Sequence, residues 1–116
     1  MRRDWQKIKE VLEDIERDRL EAKIHALQPE DEDIYFGHLL LVIDGGMAEG
    51  ISLTPRPRNQ WNYGFEVPRL TFTGHDLLDS LRSNTVWNEV KRRSSELLIP
   101  VTTTLIKVVA DSIAKG

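Results

Sequence analysis

The segment from Ile34 to Ile43 constrains the architecture more than any other part of the chain. Nearly every position in it is apolar, and only Gly37 and His38, with Asp44 beyond, are left to form an exposed strip. It follows Pro29 and the acids Glu30, Asp31, Glu32 and Asp33, and it ends at Gly45-Gly46. Proline suits a first helical turn, negative charge opposes the positive end of the helix dipole, and glycine adopts the left-handed stop cheaply. A helix apolar on almost every side is buried, so the remainder of the 116 residues is expected to close around it as one core. The longest unbroken apolar run, Leu39 to Ile43, is far too short to span a bilayer. The basic start Met1-Arg2-Arg3 leads into Asp4, not into a signal-peptide hydrophobic region. These features predict a cytoplasmic protein with no membrane partner. The absence of cysteine excludes disulfides, a thiolate nucleophile and Cys-based zinc sites.

Around this helix the periodicities place the other elements. Asp4 is a good N-cap, and Trp5, Ile8, Val11 or Leu12, and Ile15 recur at helical spacing, predicting a helix from Trp5 to Asp18. In Leu20 to Gln28 the alternation of Ala22, Ile24 and Ala26 predicts a short strand, although Leu20, Ile24 and Leu27 also fit a helical stripe. Ile51 with Leu53, and Val67 with Leu70 and Phe72, predict two strands joined by a long loop, because Thr54 to Gly64 is rich in Pro, Asn, Gly and Arg. Thr73 and Asp76 have capping-box spacing ahead of Leu77, Leu78 and Leu81, and Thr85 is placed to cap a further helix carrying Val86, Trp87 and Val90. Pro100 opens a last helix, 100–115, with Val101, Leu105, Val108, Val109 and Ile113 on one face. Its β-branched residues favour a strand, but the 3.6-residue stripe decides for a helix.

This order of helices around a hairpin is winged-helix-like: an α+β fold, mainly helical, with a small antiparallel β-hairpin as the wing. The run His38-Leu39-Leu40-Leu41-Val42-Ile43-Asp44-Gly45-Gly46 resembles the end of the recognition helix in MarR- and ArsR-type repressors, and Leu70-Thr71-Phe72-Thr73-Gly74-His75 resembles their wing exit. With Met1-Arg2-Arg3-Asp4-Trp5 and Thr85-Val86-Trp87-Asn88, the whole chain is similar to an uncharacterised family of small bacterial and prophage proteins. The resemblance implies one winged-helix-like domain over 1–116 and DNA as a partner. Against the pattern, residues 19–33 leave little room for both a wing strand and a separate positioning helix.

Charge weighs against the DNA reading. Residues 1–50 carry a net charge of minus six and residues 51–116 one of plus three, within an overall minus three. No Lys or Arg lies between Lys23 and Arg56, where Glu30, Asp31, Glu32, Asp33, Asp44 and Glu49 fall. A helix entering the major groove brings bases or amides, and this one brings neither. The sequence therefore predicts a non-enzymatic protein-interaction or regulatory module, with an unidentified protein partner. The alternative is a transcriptional regulator touching DNA through the wing, where Arg56, Arg58 and Arg69 are interleaved with Gln60, Trp61, Asn62 and Tyr63.

Trp61, in a polar loop, is either folded back on the core or an interface anchor. The stripe Leu105, Val109 and Ile113 either covers the domain's own core or pairs with a second copy in a homodimer. His75, Asp76 and Asp79 stand at helical spacing but lack a third ligand, and no serine lies in a nucleophile motif. The sequence thus implies no enzyme, metal or cofactor.

Overall fold

The computed structural model describes residues 3–115, except the side chains of Asn59 and Lys115. Met1 and Arg2 of the N-terminal motif lie outside the described residues. The chain is α+β and mainly helical, with one two-stranded antiparallel hairpin, as the sequence predicts. It divides between His75 and Asp76 into two compact units.

The first unit begins with α1 (Trp5–Glu16), capped by Asp4, whose carboxylate accepts from the amides of Gln6 and Lys7. Ile8, Val11, Leu12 and Ile15 are buried. Next comes α2 (Leu20–Ala26), a helix where a strand was expected. Leu20 and Ile24 are its buried residues, while Ala22 and Ala26 are exposed, so the i,i+4 pair and not the alternation finds the core. Glu21 in the first turn, and Lys23 and His25 in the last, also suit the helix dipole. The separate helix before the central one is therefore present within residues 19–33.

The central helix α3 (Pro29–Asp44) buries Tyr35, Phe36, Gly37, His38, Leu39 and Val42 and ends at Gly45 as expected. Strand β1 (Ala48–Arg56) then pairs with β2 (Gln60–Leu70), joined by a single 3-10 turn, Pro57–Asn59. The long loop expected over 54–64 is therefore strand at both ends. Pro55 lies opposite Trp61 inside the ladder. A two-stranded sheet has only edge strands, which tolerate a residue without an amide hydrogen. Arg58 makes the turn in the left-handed region, at φ 63°. At Gly50 the register shifts, with φ 79°, and a Cβ there would sit 2.1 Å from the Val67 carbonyl oxygen.

Residues Leu70 to Gly74 close the base of the hairpin. Leu70 ends β2 opposite Ala48, and both are buried. Thr71 Oγ1 donates to the Gly46 carbonyl (2.6 Å) and accepts from the Gly74 amide (3.2 Å), while its own amide donates to Met47 O (3.0 Å). Gly74 packs so tightly on the Met47 carbonyl that a Cβ would come within 1.9 Å of it. Thr71, not Thr73, caps α4 (Phe72–Arg82), and Phe72 is the first residue of that helix instead of the last of a strand.

In the second unit, α5 (Asn84–Leu97) is capped by Ser83, whose hydroxyl accepts from the Val86 amide, and not by Thr85. Helix α6 (Thr103–Lys115) packs against α5 and starts after Thr102, which accepts from the Leu105 amide; Pro100 lies ahead of it. Val86, Val90, Ile106 and Val109 are buried. Among the described residues no helix is long and apolar enough to cross a membrane.

Candidate functional site

The most chemically differentiated region is formed by α3 and the hairpin. On β2, Trp61, Tyr63 and Phe65 alternate onto one face, opposite Pro55, Leu53 and Ile51 of β1. That face lies on α3. Phe36 stacks on Trp61 with ring centroids 5.4 Å apart and on Tyr63 at 5.5 Å, and Tyr63 meets Phe65 at 5.5 Å. The Trp61 indole N–H donates to Asp33 Oδ1 at 3.0 Å. Trp61 is accordingly half-buried against α3. In the sequence Asp33 stands out only as one of the acids and Phe36 only as part of the apolar run, because nothing local links residues 33 and 36 to residue 61.

The opposite face of the hairpin carries Ser52, Thr54, Arg56, Gln60, Asn62 and Gly64, all exposed. Arg56 lies across it. With its carboxamide oxygen turned inward, Asn62 accepts from Arg56 Nη2 at 2.7 Å and Nε at 2.8 Å. Arg56, Pro57, Arg58, Gln60 and Asn62 line an open concavity at the hairpin tip. Arg58 is exposed at the turn and makes no ion pair among the described residues. Arg69, grouped with these arginines in the sequence, stands elsewhere. It lies directly across the ladder from Glu49 at the hairpin base, and its guanidinium is paired with that carboxylate.

Of the acids at the start of α3, Glu30, Asp31 and Glu32 lie in its first turn and Asp33 follows; Glu30, Asp31 and Asp33 are exposed and Glu32 is half-buried. Deeper in, α3 is tied to α1 by polar bonds. The Tyr35 hydroxyl donates to Asp14 Oδ2 at 2.8 Å, with both side chains buried. Burial pushes the Asp14 carboxyl above its usual range, against the lowering effect of that bond, and the Tyr35 phenol is raised by burial and by Asp14. His38, also buried, accepts from the Asp4 amide through Nε2 (2.9 Å), which leaves Nδ1 to donate to the Ile34 carbonyl (2.7 Å). Burial raises Glu10 as well, but hydrogen bonds from Lys23 (2.6 Å) and Lys7 (2.8 Å) outweigh it and hold the carboxyl low. These groups hold α1, α2 and α3 together.

The remaining candidates belong to other elements. Val109 is fully buried, Leu105 half-buried and Ile113 36% exposed on α6. His75 is exposed, and its amide donates to the Thr71 carbonyl. Among the described residues no three His, Asp or Glu side chains gather as a metal site.

A family model for hypothetical proteins, DUF2513, matches residues 2–97, and the chain belongs to that family. An uncharacterized protein of Haemophilus influenzae is 30% identical over 119 residues, covering 97% of this chain and 95% of that protein. No solved structure matches the chain.

Proposed function

We propose that this DUF2513 member is a non-enzymatic regulatory or interaction module of winged-helix-like design, acting in the cytoplasm through its surfaces and without a cofactor. The observation that carries the reading is the surface of α3. Three of the four acids at its start, Glu30, Asp31 and Asp33, are exposed, and no Lys or Arg lies anywhere from Pro29 to Asp44. Placed in a major groove, that end would set carboxylates against phosphates. It suits a protein partner that presents basic side chains. Capture from an extract of the native host tests this with the wild type beside Glu30→Lys/Asp31→Lys. Proteins held by the wild type, released by salt and lost on charge reversal are the expected result. Capture of the same proteins by the reversed variant ends this reading.

A second reading, a transcriptional regulator that touches DNA through the hairpin, is favoured by the tip. Among the described residues Arg56 and Arg58 make no ion pair, and α2 followed by α3 supplies two helices in helix-turn-helix order. Anisotropy with a labelled duplex at low salt should show binding that Arg56→Ala/Arg58→Ala weakens and that falls with a shallower salt slope. A wild type that binds no duplex rules it out. The two readings use different surfaces and are compatible in one molecule. Pairing of two copies through α6 is a further element, supported by the exposure of Val108 and Ile113. A monomer mass by light scattering at all concentrations would remove it.

A further inference from the structure

We infer that the solvent face of the hairpin reads nucleic-acid base edges, with Arg56, Gln60 and Asn62 as the reading side chains and Gly64 as the point of closest approach. The inference rests on the second reading above, that the hairpin touches a duplex, and adds what the contact does there.

Three independent observations point the same way. The first is composition by face. The register sends every aromatic residue of residues 60–65 toward α3 and leaves Ser52, Thr54, Arg56, Gln60 and Asn62 outside. No Asp or Glu occurs between Glu49 and Glu66. Arg, Gln, Asn, Ser and Thr are the side chains that pair with base edges: Arg with guanine O6 and N7, Asn or Gln with adenine N6 and N7. The major groove of a duplex, about 12 Å wide, admits a two-stranded β-ribbon, whose strands lie about 4.8 Å apart.

The second is how Arg56 is held. Arg17, Arg19, Arg69, Arg92 and Arg93 each face a carboxylate. Arg56 rests on a neutral amide, through Nε and one Nη2 hydrogen. Its charge is therefore uncompensated, its plane is fixed along the ribbon, and the remaining guanidinium hydrogens are free for a partner. The Asn62 amide hydrogens are likewise left over once its oxygen is engaged.

The third is Gly64. A Cβ built there meets nothing within 4 Å, and its backbone does not lie in the left-handed region. Folding thus gives no reason for glycine at this strand position, where any side chain would contribute more. Gly50 and Gly74 differ, because backbone carbonyls would collide with a side chain at either. A bare backbone on an otherwise polar, exposed face suits a partner that comes close.

The test uses the whole protein at low salt with a pool of duplexes carrying a randomised centre. The expected result is recovery of a sequence preference. Gln60→Ala and Asn62→Ala should flatten that preference by about ten-fold per contacted base pair while changing affinity for an unselected duplex by less than about two-fold. Gly64→Glu should weaken all duplex binding by at least about ten-fold with an unchanged unfolding midpoint, since its side chain enters open space. Duplex binding without sequence preference, or a preference indifferent to Gln60→Ala and Asn62→Ala, overturns base reading while leaving hairpin contact with DNA intact. No duplex binding by the wild type overturns both. A protein partner blocked by Gly64→Glu, in the absence of duplex binding, assigns the face to protein and also overturns the inference.

Discussion

The first turn of α3 and the solvent face of the hairpin are both exposed and polar, but the fold accounts for one and not for the other. The acids of α3 stand where a helix N-terminus favours negative charge, and Asp33 also anchors Trp61. Each has some structural employment. On the hairpin face, Arg56 is set against a neutral amide, Arg58 is unpaired among the described residues, and Gly64 fills a position where a side chain would fit. Negative charge at a helix N-terminus therefore serves the fold as well as any partner it meets. A residue type that the local structure does not require is the better indicator.

That contrast predicts that substitutions on the α3 side will damage folding while substitutions on the hairpin's outer face will spare it. The largest effect is expected at Phe36, 4% exposed and stacked on both Trp61 and Tyr63. Phe36→Ala should lose about 3–5 kcal/mol in urea unfolding. A loss below about 1 kcal/mol would mean that the hairpin is not held by this aromatic contact, and the two faces would no longer be distinguished.

Tyr35→Phe comes next. It leaves buried Asp14 Oδ2 without its donor, for an expected cost of about 1–3 kcal/mol. Asp14 gives this site a pH signature. Its folded pKa is raised above 3.8, so protonation favours the native state. The group's contribution is complete below 3.8 and is lost as pH rises through the raised folded value. Asp14→Asn should remove that decline. Unfolding curves across the acid range that keep the same slope in Asp14→Asn would show that Asp14 is not the cause.

These contacts mark where sequence reasoning succeeds and where it stops. Helix α3 is legible because it is apolar on almost every side and carries its own start and stop signals. Helix α2 is not: seven residues with two buried side chains fit both periods, and the decision comes from the burial of Leu20 and Ile24 and from the Lys23–Glu10 pair, all set by tertiary structure. In sequence Pro55, Pro57 and Gly64 look like breakers and make the strands seem shorter than they are, whereas a lone ribbon has only edges and accepts Pro55 and Gly64, with Pro57 in the turn. The caps fall at Thr71 and Ser83, two residues before the expected Thr73 and Thr85, since small hydroxyls recur there and only backbone geometry selects between them. At the candidate site Arg56, Arg58 and Trp61 were identifiable by residue type. The fork from Arg56 to Asn62 and the emptiness around Gly64 require the register.

Asp33→Ala should have a smaller effect, about 0.5–1.5 kcal/mol, because the Trp61 N–H it frees is near solvent and can find water. Its informative readout is Trp61 emission, expected to shift to the red. An unchanged spectrum would place the indole's anchorage in the Phe36 stack alone.

The smallest stability effect belongs to Gly64→Ala, and it tests the comparison most sharply. Glycine in a strand interior is less stable than alanine by about 0.5–1 kcal/mol, because it loses more backbone freedom on folding. With open space around the new Cβ and no left-handed backbone to strain, the substitution should be neutral or stabilising by up to that amount in urea unfolding. Gly50→Ala should instead be destabilised, since its Cβ would run into the Val67 carbonyl and its φ is 79°. Two glycines in one hairpin would then respond in opposite senses to the same added methyl. If Gly64→Ala proved as damaging as Gly50→Ala, the glycine at 64 would have a folding role, and its place in a recognition surface would lose its support.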